Sequence, residues 1–380
     1  MINSRRMKGD RSTPVKMGCY KKRCANEDAK SYRITCQLSH SEDRHISLLP
    51  MKLSHCLTLL AALLPFTHAA PTVSSARRDA ASDDYNSRFL VYALSLEQLV
   101  FAFYNSSLSL LSADDFRAAG HPDYVRRGYE QIRKTYQDHS DYLINEISNL
   151  GDPDAAGHCD YAFPVKTTED FINLSEAMQA LAVSTFAGAL EHSHSDIYTT
   201  AFGEMLGLEA RYATWISTAV KKQDLADMSF ESPLKLNDTW TIAGGYVTSC
   251  PPGTVPDDIF PHGLNDWPIL TVPDTVRPGD TISISFPDTL YNTDDTLFAG
   301  FMTGRNMESY PLVGNADGSF SVTVPQSIGG KGAVWLYVGK GDGSSVSDDN
   351  MVAGPALVMM AANREKDGRE SALENNTWSW

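Results

Sequence analysis

The 380-residue chain is acidic, with 47 Asp and Glu against 32 Lys and Arg and a formal net charge of −15 at pH 7. Lys and Arg side chains supply the affinity of proteins for phosphate groups, so this charge argues against nucleic acid or an anionic membrane as a partner. The sequence also lacks phosphate-binding, dinucleotide-binding, serine-hydrolase and zinc-protease motifs, so hydrolase and nucleotide-dependent functions have no support from motifs.

Residues 51–69 have the layout of a secretory signal peptide. Lys52 gives a short basic start, residues 57–66 form an apolar run, and small residues follow, with cleavage expected after Ala69. The apolar run is too short for a membrane span, which needs about 20 residues. We therefore expect a secreted, extracellular protein without a membrane span.

Residues 1–50 contain 11 Lys and Arg against 5 Asp and Glu and show no apolar periodicity. Since a signal peptide starts near a true N-terminus, we expect translation to begin at Met51 and residues 1–50 to be a gene-model extension. The alternative is a basic cytosolic arm followed by a buried helix at 57–66. Residues 70–82 are polar and contain Arg77-Arg78, either a dibasic processing site or an ordinary exposed pair.

Removal of residues 1–69 leaves 20 basic and 42 acidic residues and two cysteines, Cys159 and Cys250. In an oxidising compartment these two favour one intramolecular disulfide. The bond would close a loop of about 90 residues, which the loop-entropy treatment values at roughly 4–5 kcal/mol. Its Cα atoms should lie about 4.4–6.8 Å apart.

Residues 83–225 show the apolar spacing of a helical bundle. In the first helix, apolar residues recur three and four positions apart from Phe89 to Phe103, as in a helix that buries one face. Helix-initiating and helix-breaking residues then predict a short helix over 113–119 and longer helices over 122–150, from 168 to about 192, and over 196–222. This predicts a mainly α protein whose first domain is a four-helix bundle, the architecture that ferritin-like proteins share.

The four long helices each offer one inward position for a metal ligand. A di-iron carboxylate bundle takes one Glu from each of two helices and a Glu-x-x-His pair from each of the other two. The corresponding positions here are Glu97, the pair Tyr136 and His139, Gln179, and the pair Glu209 and Tyr212. Tyr136, Gln179 and Tyr212 therefore stand where a complete di-iron site has Glu, Glu and His. We expect these side chains to converge inside the bundle.

After Trp240 the composition changes to short β-type segments. We expect a connecting loop over 226–268, rich in Gly and Pro, and a flexible tail over 361–380. Between them, alternating apolar residues and turn signals predict a small immunoglobulin-like β-sandwich over 269–360. The predicted strands cover 281–286, 297–302, 319–324, 334–338 and 356–360.

Several segments resemble a fungal family of secreted ferritin-like proteins, the late sexual development and stress response proteins. They include Ala93-Leu-Ser-Leu-Glu97, Phe116-Arg-Ala-Ala-Gly-His-Pro-Asp-Tyr124, Cys159-Asp-Tyr-Ala-Phe-Pro164, Glu209-Ala-Arg-Tyr-Ala-Thr-Trp215 and Ser347-Asp-Asp-Asn-Met-Val-Ala-Gly-Pro355. The resemblance covers roughly residues 83 to 360. It implies a role in stress response or development, with an unknown small molecule or cell-wall component as partner.

Three interpretations of the bundle core remain open. Glu97, His139 and Glu209 could be remnants of a di-iron site that satisfy one another and the two tyrosines without any cofactor, in a non-catalytic protein. They could instead hold one Fe, Mn or Zn ion, as in a single-metal oxidoreductase acting on a small metabolite. An unrelated small-molecule pocket is the third interpretation. Ferritin-type turnover is not expected, because it needs two irons.

Four sequons are candidate glycosylation sites: Asn105, Asn173, Asn237 and Asn375. We expect Asn237 and Asn375 to be the better acceptors, because both lie in polar stretches that we predict to be irregular.

Overall fold

The computed structural model describes residues 17–23, 32–38, 80–151, 157–251, 264, 266–273, 275–361 and 377–378. The expected signal peptide, Arg77-Arg78 and Asn375 lie outside these residues. The chain divides into two compact units, Met1–Ser75 and Ala76–Trp380. In the first unit, strands β1 (Met17–Arg23) and β2 (Tyr32–Leu38) pair antiparallel.

The second unit begins with the predicted helical bundle. Its helices are α1 (Ala80–Leu110), α2 (Ala113–Ala118), α3 (Asp123–Asn149), α4 (Thr168–Ala189) and α5 (Asp196–Trp215). A π-helical turn, Ile216–Val220, continues α5. The predicted elements are thus confirmed, although α1 starts three residues before the expected boundary at 83.

Local capping explains where two of these helices begin. The Ser112 hydroxyl accepts from the Asp115 N–H at 3.3 Å, while the Asp115 carboxylate accepts from the Ser112 N–H at 2.7 Å. Thr167 and Asp170 form the same reciprocal pair at the start of α4, at 3.1 and 2.9 Å. Each pair satisfies backbone donors that have no partner inside the helix, which fixes the first turn.

The four long helices bury one continuous apolar core. Helix α1 packs along α3 and helix α4 along α5. Phe103, Tyr104 and Phe171 are among the fully buried aromatic side chains at the centre. Helix α4 is buried at nearly every position from Phe171 to Ala189, so it is the central helix of the bundle.

The segment 226–268 was expected to be a loop, and that expectation is wrong for its middle part. It contains helix α6 (Leu236–Gly244) and strand β4 (Val247–Ser249), and β4 pairs antiparallel with β3 (Asp160–Tyr161). Leu236 and Ile242 are buried in the same core as the bundle. A nine-residue helix with three-and-four spaced apolar positions is a weak signal beside the surrounding Gly and Pro residues.

The C-terminal region consists of antiparallel β-sheets. Its strands are β5 (Thr281–Ile284), β6 (Leu297–Thr303), β7 (Asn306–Pro311), β8 (Val313–Gly314), β9 (Phe320–Thr323), β10 (Gly332–Lys340), β11 (Met351–Met360) and β12 (Thr377–Trp378). One sheet has the order β12-β11-β10-β6-β7 and the other has the order β5-β9-β8. The two sheets share a hydrophobic core, to which Ile282, Val322 and Leu336 belong.

The five predicted strands are present, whereas β7, β8 and β12 were missed. Strand β12 pairs with β11 although it lies in the segment 361–380, which was expected to be a flexible tail. Strand β7 is the edge of the larger sheet and has no alternation of buried and exposed residues, so its sequence carries no period-two signal. Strand β11 is longer than predicted. Gly354-Pro355 argue against a strand at their position, but the pairing of β10 with β11 shifts register there and the strand continues through both residues.

Strand β10 explains how the sheet joins the bundle. Val334, Leu336 and Val338 lie in the core between the sheets, while Trp335 and Tyr337 lie in the core of the bundle. The Trp335 indole N–H donates to the Ser184 hydroxyl of α4 at 3.0 Å. Because both faces of the sheet are buried, bundle and sheet form one continuous structure.

Within the part of the chain that the structure describes, no helix has the length and apolar character needed to cross a bilayer.

Candidate metal centre

The six candidate residues come from four helices. Glu97 lies on α1, Tyr136 and His139 on α3, Gln179 on α4, and Glu209 and Tyr212 on α5. Glu97, Tyr136, Gln179 and Glu209 are fully buried, at 0% exposure. His139 is the partly exposed member of the acid and histidine set, with 16% of its side chain accessible.

Glu97, His139 and Glu209 converge as expected. One ligand atom of each lies within 4.8 Å of the corresponding atoms of the other two. The His139 Nδ1 atom is 3.4 Å from the Glu97 Oε2 atom and 3.9 Å from the Glu209 Oε1 atom. Three side chains from three helices thus surround one point inside the bundle, and their donor atoms are the oxygen and nitrogen atoms that bind divalent metals.

The carboxyl groups at this point lie close to one another and to His139, but none of them makes a hydrogen bond of normal geometry. Both carboxyl oxygens of Glu97, both of Glu209 and the Nδ1 atom of His139 are buried without a hydrogen bond of normal geometry. A buried polar group without a partner costs about 1–3 kcal/mol, and a buried charge costs more. The arrangement therefore needs protons or a cation that the chain itself does not supply.

Burial dominates the titration of the three residues. Desolvation raises the pKa of Glu97 to about 8, partly offset by its interaction with the Glu209 carboxyl group. The pKa of Glu209 is raised well above its usual value, first by burial and then by the Glu97 charge. Burial lowers the pKa of His139, against the charges of Glu209 and Asp138. His139 is therefore neutral at pH 7, the form in which an imidazole binds metal.

Gln179 is held beside this cluster by two tyrosines. Its side-chain Nε2 donates to the Tyr136 hydroxyl at 2.8 Å and to the Tyr104 hydroxyl at 3.2 Å. The remaining carbonyl oxygen, Oε1, is buried and has no hydrogen-bond partner. Burial raises the pKa of Tyr136 well above its usual value, and the charges of Glu209 and Glu97 raise it further.

Tyr104 is the residue of this network that sequence analysis missed. It lies seven positions after Glu97 on α1, two helical turns along the same face. That spacing was the available signal, but a tyrosine in an apolar stripe is indistinguishable from an ordinary core residue until its hydroxyl partner is known.

The Tyr212 hydroxyl makes its hydrogen bond to α3 and not to a member of the cluster. It is paired with the Thr135 hydroxyl at 2.7 Å, in a partly buried position, and Thr135 precedes Tyr136 along α3. We expected both tyrosine hydroxyls to fill the space of a second metal, and that stays a prediction.

The donor set fits one metal ion and does not fit two. Two carboxylates and a neutral histidine provide ligands for a single Fe, Mn or Zn ion. A di-iron site needs bridging carboxylates and a second histidine. Tyr136 and Tyr212 occupy those positions, and neither supplies a carboxylate or imidazole.

The two cysteines of the described unit are joined as predicted. Cys159 and Cys250 form a disulfide with a Cα separation of 4.2 Å, just below the expected range. The bond lies beside the β3–β4 pair and ties the segment after α6 to the bundle.

The described sequons differ in accessibility. Asn237 is 9% exposed, lies in α6 rather than in an irregular stretch, and donates to the Asp348 carboxylate at 2.9 Å. The premise for preferring it was therefore wrong. Asn105 on α1 is exposed and Asn173 on α4 is half-buried. Glycosylation itself stays a prediction.

Comparison with known proteins agrees with this geometry. Residues 86–222 match the family model described as a ferritin-like domain, and this range contains Glu97, His139 and Glu209. The match identifies no narrower family, and no curated protein matches the chain. The chain thus carries a ferritin-like domain with a buried Glu-His-Glu cluster, followed by a region of antiparallel β-sheets.

Proposed function

We propose that this chain is a secreted ferritin-like protein that binds one divalent metal ion between Glu97, His139 and Glu209. The observation that carries the proposal is the set of buried carboxyl oxygens without hydrogen-bond partners. A divalent cation placed among them would neutralise both carboxylates and accept the His139 lone pair at once. The chain offers no other donor to these atoms among its described residues.

The metal-free alternative also has support from one observation. Because burial raises the pKa of Glu97 to about 8 and that of Glu209 well above its usual value, both carboxyl groups can remain protonated at neutral pH, which avoids a buried charge. A remnant network of this kind is stable when every member is hydrogen-bonded. The tyrosine hydroxyls bond to Gln179 and Thr135 instead of the acids, so we favour the metal-bound state.

The surrounding side chains have separate tasks in this proposal. His139 is the ligand nearest to solvent and gives the ion its point of entry. Tyr104 and Tyr136 hold the Gln179 amide in place beside the ligands. A bound ion would supply positive charge, with redox chemistry as well if it is iron or manganese.

Secretion belongs to the same proposal. The signal-like segment at 51–69, the acidic mature chain and the Cys159–Cys250 disulfide are all typical of a protein of an oxidising extracellular space. From the resemblance to fungal secreted ferritin-like proteins, we infer a role in stress response or development.

Metal analysis of the secreted full chain tests the proposal. The protein is purified without chelators, supplied with Fe, Mn or Zn in turn, and its metal content is measured after desalting. We expect about one equivalent of at least one metal, as the single ligand set implies. Glu209→Ala should lose that equivalent, and Glu204→Ala, which changes an exposed acid of the same helix, should retain it. Two equivalents per chain, or none of any metal, would overturn the proposal.

A further inference from the structure

A separate cavity lies where the bundle meets the larger sheet. It has a volume of about 120 Å³ and lies between α4, α5, residues 223–232 and strands β10 and β11. The Glu97–His139–Glu209 cluster is not part of its lining. The cavity is therefore a second candidate site, separate from the metal ligands, and the chemistry of its wall determines which molecules fit it.

Small residues create this cavity. Alanine side chains from α4, α5, the segment 223–232 and the C-terminal region line it, and larger side chains at these positions would fill the space. Val183, Met228 and Met359 add further apolar surface to the wall. Leu225 also lines the cavity and is 69% exposed, so the cavity reaches the surface and has an apolar side chain at its opening. The alanines are Ala180, Ala210, Ala213, Ala226, Ala333 and Ala361.

The hydroxyl groups of the wall already have hydrogen-bond partners inside the protein. Ser184 accepts from the indole N–H of a β10 tryptophan at 3.0 Å, and Ser232 accepts from a backbone N–H of the β6–β7 turn at 2.6 Å. Thr214 and Ser217 donate to main-chain carbonyl oxygens of their own helical segment, at 2.8 and 3.1 Å. A polar ligand would exchange its hydrogen bonds to water for weak contacts with groups that are already paired, so the wall disfavours it.

The carboxylates of the lining do not select a charged ligand. Glu176, which is 4% exposed, accepts from the Lys221 ammonium group at 2.6 Å, so its charge is compensated within the protein. Asp224 and Glu231 are exposed, and water hydrates their charges. A charged ligand would lose hydration on entering and would find no free buried partner of opposite charge among the described lining residues. The cavity therefore favours an uncharged ligand.

We propose that this cavity binds an uncharged apolar molecule of about one ring, an arene with at most one small substituent. An apolar cavity of roughly 150 Å³ binds benzene, and the volume here is of the same order. The ligand packs against the alanine and methionine side chains of the wall, and the transfer of its apolar surface out of water drives binding. This site goes beyond the proposed metal function, since none of its lining residues is a ligand of the metal cluster.

Three probes with the same ring test the chemistry: toluene, benzylamine and benzoate. Binding to the full chain is measured by titration calorimetry at pH 7, with and without a chelator. We expect toluene to bind at least about tenfold more tightly than either ion, because neither ion recovers its lost hydration in the cavity. Chelation should leave toluene binding unchanged, which separates this site from the metal site. Absence of toluene binding, or equal or tighter binding of one of the ions, would overturn the proposal.

Matched variants locate the site. Ala213→Leu on α5 and Ala333→Leu on β10 each place a larger side chain in the cavity and should weaken toluene binding by at least about tenfold. Ala201→Leu, at a half-buried alanine of α5 outside the lining, should bind toluene as the wild type does. Thermal unfolding identifies the variants that are folded, and either filled variant is sufficient for the test. If a folded Ala213→Leu or Ala333→Leu protein binds toluene with unchanged affinity, the cavity is not the site.

Discussion

Two buried acids in this protein, Asp238 of α6 and Glu97 of α1, are 2% and 0% exposed, yet their surroundings are opposite. Asp238 accepts from the Tyr337 hydroxyl at 3.0 Å and from the Lys235 N–H at 3.2 Å. Burial raises its pKa only to about 6, because the Lys235 charge and these donors oppose the effect. Glu97 has no donor of its own, and burial raises its pKa to about 8.

The comparison distinguishes a structural acid from a candidate functional one. The donors to Asp238 come from α6 itself and from β10, so the acid connects the bundle to the sheet. The bundle cluster places two carboxyl groups and an imidazole together and provides no donor for them. The same fold supplies two hydrogen-bond donors to Asp238 and leaves both Glu97 oxygens without a hydrogen bond of normal geometry, at a point where a bound metal ion would satisfy them.

Removal of the disulfide should give the largest loss of stability. Cys159 and Cys250 are 91 residues apart in sequence, and replacing both by serine should lower the free energy of unfolding by about 4–5 kcal/mol in the loop-entropy treatment. Urea denaturation measures the loss. Because the bond anchors the α6–β4 segment rather than the metal ligands, folded variant protein should still bind its metal. A loss below about 1 kcal/mol would show that packing alone holds this segment.

Substitutions of the two acids should change stability in opposite directions. Asp238→Ala leaves the Tyr337 hydroxyl and the Lys235 N–H without their acceptor and should lower the free energy of unfolding by about 1–3 kcal/mol. Glu97→Gln removes an unsatisfied buried carboxyl group and should stabilise the chelator-treated protein at pH 8. Both are measured by chemical denaturation. If Glu97→Gln proves as destabilising as Asp238→Ala, Glu97 is satisfied in solution and the contrast fails.

The pH dependence should report the unsatisfied cluster. A carboxyl group whose pKa is raised in the folded state holds its proton there while the unfolded chain has lost it, so stability falls as pH rises toward the folded pKa. Asp238, with a pKa of about 6, has lost its proton in the folded state before this pH range is reached. His139, whose pKa is lowered, changes the stability only below about pH 6.5, where the unfolded chain binds its proton.

Between about pH 6.5 and 8, the metal-free protein should therefore lose up to about 1.4 kcal/mol per pH unit for each group still protonated in the fold. Glu97→Gln should reduce this slope. Added metal displaces the protons, so its affinity should rise by about tenfold per pH unit for each proton released. Stability that is constant with pH in this window, in wild type and variant alike, would contradict the raised pKa of Glu97.

The smallest expected effect comes from removing the hydroxyl group at either of the two replaced ligand positions that hold tyrosine. Tyr136→Phe removes the hydroxyl that accepts from Gln179 and should lower metal affinity by about tenfold, as expected for a residue that supports the ligands from outside. Tyr212→Phe loses only the hydrogen bond to Thr135 and should leave the affinity unchanged. Competition with a chromogenic chelator measures both. A larger effect from Tyr212→Phe would mean that its hydroxyl lies closer to the site in solution.

The helices were predictable because their signals are local. Apolar spacing and the capping pairs at Ser112 and Thr167 depend on residues within one or two turns, and the observed bounds follow them closely. The prediction of the strands was less complete. Strand β7 is an edge strand without alternation of buried and exposed residues, and β11 is buried on both faces. Helix α6 was hidden among Gly and Pro residues that suggested a loop.

The sequence was sufficient to predict the three ligands of the candidate site, but not the hydrogen-bond partners of the residues around them. Glu97, His139 and Glu209 lie at helical positions that any regular bundle turns inward, so sequence spacing alone determined that they would meet. Periodicity fixes which face of a helix a residue occupies, and the convergence of the three ligands needed nothing more. The pairing of Cys159 with Cys250 followed separately, from their being the two cysteines left after the expected signal cleavage.

The hydrogen-bond partners were decided by the tertiary structure. Gln179 meets Tyr104 and Tyr136 across 75 and 43 residues of sequence, and Tyr212 meets Thr135 across 77. The burial of Asn237 and the donors to Asp238 likewise depend on how the sheet packs against the bundle. Such partners are set by the rotation and axial position of whole helices and strands against each other. No local pattern encodes those positions, and they determine whether a buried acid finds a donor or is left to bind an ion.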